Sequence, residues 1–540
     1  MKPPVFSAAK RPVTVIGETQ HFGPYCPRHG IAVPTYCGAL QEGEPCVMTS
    51  TIEYFIDGKR VSPQTETRCP DINPATGQLL AEVAMDEVSA ADAAVSAAQA
   101  AFPAWRDTPV GERCQVLFRF KQLLENNFDE LAQMIVTEHG KNRSEARGDV
   151  RRGIDCVEYA CGAPSLMMGR SLPRIAVSSS FSRETDEGIP LDSALERVPL
   201  GVCVGITPFN FPIMVPLWMW PMAVACGNTF VLKPSEKVSL CALREVELAA
   251  EAGLPAGVLN LVTGGAEVVE QLITHQDVRA VSLVGSTRVA KKVYATASEA
   301  GKRVQCMAGA KNTMIIMPDA NQDAAIDGVL SSSMGNTGQR CLAGSVAVLV
   351  GDAPEWFIPR ITEAAKQIKV CSGDDATGGM GPLIDAASVA RVTEAIAKGI
   401  DSGAELLLDG RTSNFPENGS FVGPTLFDHV PPDSALAKDE IFGPVLSILR
   451  VPTLEDAIAV THRSPYGNMA VMFADSGYAA NKFKETAGAG MIGINVGVPA
   501  PMAVFPFCGW KDSFFGTLHS NGEDSVRFYT EGRIIVSRWF

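Results

Sequence analysis

Histidine is scarce in this chain, seven residues in 540, and none fall at the H-x-x-x-H spacing that presents two metal ligands on one helix face. A histidine-based metal centre is therefore not expected. Basic runs are missing as well: 46 Lys and Arg stand against 60 Asp and Glu, a formal net charge of −14, which argues against nucleic acid and anionic membrane surfaces as partners. No apolar run is left uninterrupted. Residues 198–232 carry no formal charge, longer than the roughly 20 residues that span a bilayer, but Pro199, Pro208, Pro212, Pro216 and Pro221 break the stretch. A buried strand–loop–helix–strand of an α/β domain is the expectation there, and no membrane association. The N-terminus lacks the apolar segment of a secretory signal, and no G-x-G-x-x-G follows a strand, so the usual dinucleotide fingerprint is absent. Regular cysteine spacing is absent too. The fourteen cysteines are scattered, with Cys156, Cys161, Cys203 and Cys226 in apolar segments, and read as reduced thiols of a cytoplasmic protein.

What is present is the composition of a globular protein, 46% hydrophobic and 20% charged, at a length that implies two or three domains. Residues 1–47 are Pro- and Gly-rich without periodicity and read as a disordered extension or an early start; Cys26, His29, Cys37 and Cys46 within it match no standard zinc spacing. Helical periodicity marks residues 87–102 and 112–138. Strands are then expected at 201–206, 228–232, 258–262 and 280–284, alternating with helices at 216–225, 239–252, 267–274 and 288–300. That is βαβ order and predicts a parallel sheet covered on both faces. The polar stretch between Pro173 and Pro199 predicts a hairpin or projecting arm, a second α/β half runs from Asn312 to about Val504, and residues 525–539 alternate as a C-terminal strand. An arm with a terminal strand suggests strand exchange between subunits.

Two segments carry chemistry. Gly338-Gln339-Arg340-Cys341-Leu342-Ala343-Gly344 offers a cysteine among small residues behind a cation, and Thr207-Pro208-Phe209-Asn210-Phe211-Pro212 offers an amide on a Pro-bounded turn after an apolar strand. A thiolate and an amide donor for a developing oxyanion are what attack on a carbonyl first requires. Arg340 is expected to favour the thiolate. Alone, Cys341 reads equally as a core residue; the polar run before it argues otherwise. In Ser282-Leu-Val-Gly-Ser286-Thr287 a strand ends in hydroxyl residues that open a helix, suited to a pyrophosphate but by itself an ordinary N-cap. Lys233 and Glu236, in Lys233-Pro-Ser-Glu236, read as a solvated loop or as groups that hold ribose hydroxyls, the carboxylate favouring NAD over NADP.

With Asp439-Glu440-Ile441-Phe442-Gly443-Pro444-Val445 and the motifs P-F-N-F-P, K-P-S-E, V-G-S-T, A-G-A-K-N, G-Q-R-C and G-I-N-V-G in this order, the chain from about Ile52 to Trp539 resembles the aldehyde dehydrogenase superfamily. The resemblance implies a Rossmann-like NAD domain (48–170 and 199–309), an α/β catalytic domain (310–507) and a small β oligomerisation arm (171–198 and 508–540). It implies Cys341 as nucleophile and Asn210 as oxyanion donor. Pro208, Phe209, Lys233, Glu236, Ser286, Glu440 and Phe442 would stand around NAD, with Glu440 on the nicotinamide ribose and Phe442 bracing the ring. It also implies a homodimer or homotetramer. Where hydrolytic members carry the glutamate of E-L-G-G-K-N, this chain has Met307, which cannot deprotonate water. Coenzyme A then becomes the expected acceptor, and the chain looks like the CoA-acylating methylmalonate-semialdehyde dehydrogenases, with Arg152 and Arg340 as a clamp for the carboxylate of a small semialdehyde. Oxidative CoA-acylation of methylmalonate or malonate semialdehyde, with loss of CO2, is the implied reaction. Two alternatives remain: a hydrolytic dehydrogenase, which a glutamate within reach of Cys341 would support, and a catalytically silent scaffold.

Overall fold

The computed structural model describes residues 51–178, 189–412, 415–416 and 418–538; the expected extension at 1–47, its cysteines, and the tip of the arm lie outside these. The described residues belong to one unit, Thr49–Phe540. Two sheets organise it. In the first, strands run in the order Lys59–Val61, Tyr54–Ile56, Leu259–Leu261, Thr229–Lys233, Val202–Ile206, Val278–Val284, Arg303–Met307 and Phe514–Phe515. The five from Leu259–Leu261 to Arg303–Met307 are parallel neighbours, and strand order reverses between Val202–Ile206 and Val278–Val284. That switch point opens a crevice at the carboxyl ends of the strands. Val202–Ile206 and Thr229–Lys233 are buried along their whole length, as continuous apolar strands covered on both faces must be.

The uncharged stretch at 198–232 folds as expected, strand, loop, helix, strand. Its helix, Met214–Ala225, is apolar all round and buried at every position, including Pro216 and Pro221. Among the described residues no helix is long and apolar enough to cross a membrane.

The second sheet orders Glu405–Leu408, Thr425–Asp428, Val445–Val451, Gly344–Val350, Asn312–Ile316, Met469–Phe473 and Met491–Ile494, parallel except at Glu405–Leu408. A third, antiparallel sheet joins the hairpin Arg170–Ser178 and Ile189–Pro199 to Thr530–Ser537. The hairpin is the expected arm.

Three local expectations change. The single helix read at 112–138 is two, Val110–Asn126 and Phe128–His139, separated by Asn127, whose φ −102° and ψ 18° are not helical and whose side-chain amide donates to the Leu123 carbonyl (2.8 Å). The strand read from residue 525 begins only at Thr530. Residues Gly522–Phe528 are helical, entered through Asn521 at φ 66° with Glu523 and Asp524 in the first turn. Phe514–Phe515, read as part of the arm, instead pairs with Arg303–Met307 at the edge of the first sheet.

Candidate active site

Helix Gln322–Met334 delivers the chain into a tight turn, Gly335–Gly338, after which Cys341 leads into strand Gly344–Val350. Three successive turn residues are left-handed: Asn336 (φ 51°), Thr337 (φ 54°) and Gly338 (φ 71°). Two of them are not glycine, a conformation the surroundings must enforce. At Gly338 a Cβ would stand 2.1 Å from the Gly443 carbonyl oxygen, so the turn sits directly on the loop that carries Glu440 and Phe442.

Side-chain amides hold the turn. Asn210 Nδ2 donates to the Gln339 carbonyl (2.9 Å), and Asn336 Nδ2 donates to the carbonyls of Gln339 (3.0 Å) and Asn210 (3.3 Å). The Cys341 carbonyl accepts from Asn312 (2.9 Å) and Asn468 (2.8 Å). Asn210, read from sequence as the oxyanion donor, is thus beside the cysteine segment. Its bond to Gln339 uses one amide hydrogen and leaves a second. The backbone N–H groups of Cys341 and Leu342 face the Cys341 sulfur and favour its charge.

They do not prevail. Burial pushes the Cys341 thiol up to about 12, and the Glu440 carboxylate pushes the same way. Arg340 favours the thiolate, as expected, but its contribution is the smallest of those named here and burial outweighs it; its guanidinium is paired to Glu145 (2.8 Å).

The crevice at the switch point gathers the residues read as cofactor-binding. Phe209 meets Phe442 edge-on, ring centroids 5.9 Å apart, and stacks on buried His139 at 6.0 Å. Phe442 has φ 55°, and Arg391 bonds to the Ile441 carbonyl beside it. Glu440 accepts from the Ala310 N–H (2.9 Å), and burial holds its carboxyl above the usual range. Lys233 is buried at a strand end with its ammonium 3.9 Å from Glu236. Ser286 is the N-cap of helix Thr287–Glu299, yet its hydroxyl makes no capping bond, which leaves the helix N-terminus open to an anion. An uncapped helix N-terminus, a buried lysine beside a partly exposed glutamate, and the carboxylate of Glu440 on the loop that carries Phe442 fit a dinucleotide.

Cys341 also lines a cleft of about 240 Å³, with Phe211, Met214, Trp218, Phe507, Arg152 and Arg340 on its walls. Both arginines expected as a carboxylate clamp therefore share one cavity with the thiol. Arg152 bonds to the Pro501 carbonyl (2.5 Å) and lies 3.8 Å from the Met502 sulfur. The two carboxylates on the cleft wall are both engaged, Glu145 with Arg340 and Asp149 with Lys141 in a fully buried pair (2.7 Å). Met307 ends its strand buried, with the Ser520 hydroxyl on its sulfur (3.6 Å).

Sequence reading missed Glu145, Asn468 and the Lys141–Asp149 pair; Thr287, read with Ser286 as a hydroxyl that opens the helix, also accepts from the Gly309 N–H (3.1 Å). Nothing in local spacing marks Glu145 or Asn468, which act across long chain separations, 127 residues between Asn468 and Cys341.

Comparison with known proteins agrees with this geometry. The aldehyde dehydrogenase family model matches residues 61–535. A malonate-semialdehyde dehydrogenase from Halalkalibacterium halodurans is 48% identical over 488 residues, 90% of this chain and 98% of the relative. The crystal structure of a methylmalonate-semialdehyde dehydrogenase from Oceanimonas doudoroffii is 44% identical, with a TM-score of 0.86 over 91% of this chain and 99% of that one. An aldehyde dehydrogenase from Bacillus cereus solved with NAD+ is 30% identical, TM-score 0.84, covering 91% and 97%. From the strained cysteine turn to the open helix N-terminus, this chain belongs to the aldehyde dehydrogenase family.

Proposed function

We propose that this chain oxidises malonate or methylmalonate semialdehyde with NAD and passes the acyl group to coenzyme A, with loss of CO2, giving acetyl-CoA or propionyl-CoA. One observation carries the reading: among the described residues of the Cys341 cleft, each carboxylate is bound to a cation, and Met307 stands where a hydrolytic enzyme would place its base. Water thus lacks a general base in the cleft, whereas the thiol of coenzyme A brings its own nucleophilicity. The names of the relatives from H. halodurans and O. doudoroffii support the substrate class.

Cys341 Sγ attacks the aldehyde carbon, and the oxyanion takes the free amide hydrogen of Asn210 and the Cys341 N–H. Arg152 and Arg340 orient the far carboxylate. NAD, when bound, supplies the hydride acceptor. Lys233 and Glu236 would hold the adenine ribose, Ser286 and its helix the pyrophosphate, Glu440 the nicotinamide ribose; Pro208, Phe209 and Phe442 would flank the ring. Oxidation leaves a thioester on Cys341 that still carries the far carboxylate; that carboxylate leaves as CO2, and attack by the coenzyme A thiol transfers the acyl group and returns the Cys341 thiol.

NADH formation from malonate semialdehyde, measured with and without coenzyme A and with the product weighed by mass spectrometry, tests this. Turnover that requires coenzyme A and yields acetyl-CoA is expected; equal turnover to a free acid would overturn it. That second outcome has one observation in its favour: Glu440 carries a raised pKa and its charge reaches Cys341. Glu440 is not on the cleft wall, however, and its oxygen is held by the Ala310 N–H.

The three sheets support the division into NAD-binding, catalytic and arm regions read from the sequence, apart from Phe514–Phe515 and Trp510–Lys511, which pairs with Tyr466–Gly467. The terminal strand supports a homodimer or homotetramer, since Ile534 and Val536 are 64% and 61% exposed. Free, mostly buried thiols among the described residues favour a reducing, cytoplasmic setting.

A further inference from the structure

The Cys341 turn is strained, and something outside it must hold it. A single oxygen of Glu145, Oε1, accepts from the Asn336 N–H (2.6 Å) and from Arg340 Nη2 (2.8 Å). Glu145 lies near the start of helix Arg143–Cys161, 191 residues before Asn336. The helix is itself anchored, its Asn142 cap accepting from the Glu145 N–H (2.9 Å). Arg340 reaches Glu145 by folding back across Gly335, where a Cβ would stand 2.5 Å from Nη1; its other contact is the Ser331 carbonyl (3.3 Å). Gly335 has no need of a left-handed φ. Its glycine therefore serves the close passage of the guanidinium.

We infer that Glu145 is the positioning residue of this site: one carboxylate oxygen fixes both the left-handed turn that presents Cys341 and the guanidinium that Arg340 shows to the cleft. Glu145 touches neither the thiol nor the aldehyde carbon in this role. It acts through Asn336 and Arg340, and its effect on substrate choice rests on the reading of Arg340 as part of the carboxylate clamp. Because a carboxamide oxygen can accept the same two hydrogens, geometry and charge are separable. Glu145→Gln keeps the acceptor and removes the negative charge that masks Arg340; Glu145→Ala removes both.

The test is steady-state NADH formation with saturating NAD and coenzyme A, using malonate semialdehyde and the uncharged propanal in parallel. For Glu145→Ala the KM for malonate semialdehyde is expected to rise about tenfold relative to the KM for propanal, and kcat to fall several-fold for both, as the turn loosens. Glu145→Gln should restore kcat to near wild type, and its Cys341 should be alkylated by iodoacetamide at lower pH than the wild-type thiol. Gly335→Ala, which displaces Arg340 while leaving Glu145 in place, should reproduce the semialdehyde-specific KM defect; it supplies that readout should Glu145→Ala not fold. An unchanged ratio of the two KM values in Glu145→Ala or Gly335→Ala would overturn the inference, as would a Glu145→Gln enzyme as slow as Glu145→Ala. Wild-type enzyme that does not prefer the semialdehyde over propanal would instead overturn the clamp reading, leaving the kcat and alkylation results to judge the turn.

Discussion

Several side chains of this site are held in states that water would not allow. Lys311 is buried beside Glu440 with no hydrogen-bond partner on its amine, and burial brings its pKa down to about 8. A buried ammonium is costly unless paired. The sign of the resulting pH dependence follows from linkage. Between pH 8 and the unfolded value of 10.5 the unfolded chain holds a proton that the folded chain has released, so this residue's contribution to stability improves as pH rises through that window. Below pH 8 both states are protonated and the full cost persists. Lys311→Met should therefore stabilise the cofactor-free enzyme at pH 7, by up to about 3 kcal/mol for a shift of this size, and the gain in thermal midpoint should shrink toward pH 10. A gain that is constant with pH would show that the ammonium carries no such cost. Desolvation acts on Cys341 as well: it pushes the thiol up to about 12, and Arg340, engaged with Glu145, offsets little of this.

Among elements, the turn Gly335–Gly338 is where the two sheets' contributions meet. It joins a helix to a strand of the second sheet, and it packs on the loop bearing Glu440 and Phe442. Gly338 has both a left-handed φ of 71° and a 2.1 Å approach to the Gly443 carbonyl, so a methyl group there meets rigid backbone rather than a movable side chain. Gly338→Ala should cost about 2–3 kcal/mol, and it should weaken NAD binding because Gly443 can yield only by moving Phe442. Calorimetry for the midpoint and fluorescence titration for NAD would measure both; a stable variant with wild-type affinity would contradict this account. Helix Arg143–Cys161 has a comparable double duty, carrying Glu145 toward the turn and Asp149 toward Lys141 and the Met214 N–H (2.8 Å).

Across the whole molecule, the arm is the part left without a core of its own. Thr530–Ser537 pairs with Ile189–Pro199 along its length, but Leu172, Ile175, Ile534 and Val536 remain exposed. An isolated three-stranded sheet with apolar residues in water invites a second copy. Replacing Ile534 and Val536 together by Glu should shift the enzyme to a smaller assembly in light scattering after size exclusion, while leaving the Cys341 cleft intact. Unchanged mass would assign the arm another role.

Much of this was legible in the chain itself. The alternation of apolar strands with helices from 201 to 300 is local, set by burial on both faces of a parallel sheet, and the observed elements fall within a few residues of it. Asn210, Lys233, Glu440 and Cys341 could be found because each sits in a compact motif beside a strand end or turn. Local pattern misled at Asn127, whose non-helical backbone splits a periodic stretch, and at residues 522–528, where a first turn carrying Glu523 and Asp524 is helical despite the alternation. The sequence alone determined the fold class and singled out Cys341 as the candidate nucleophile, since both readings depend on neighbours in the chain. Only the tertiary structure decided which charges are free: Arg340 is bound by a glutamate 195 residues away and the cysteine thiol is raised by desolvation, because ion pairing and desolvation depend on what packs together in space rather than on what is adjacent in sequence.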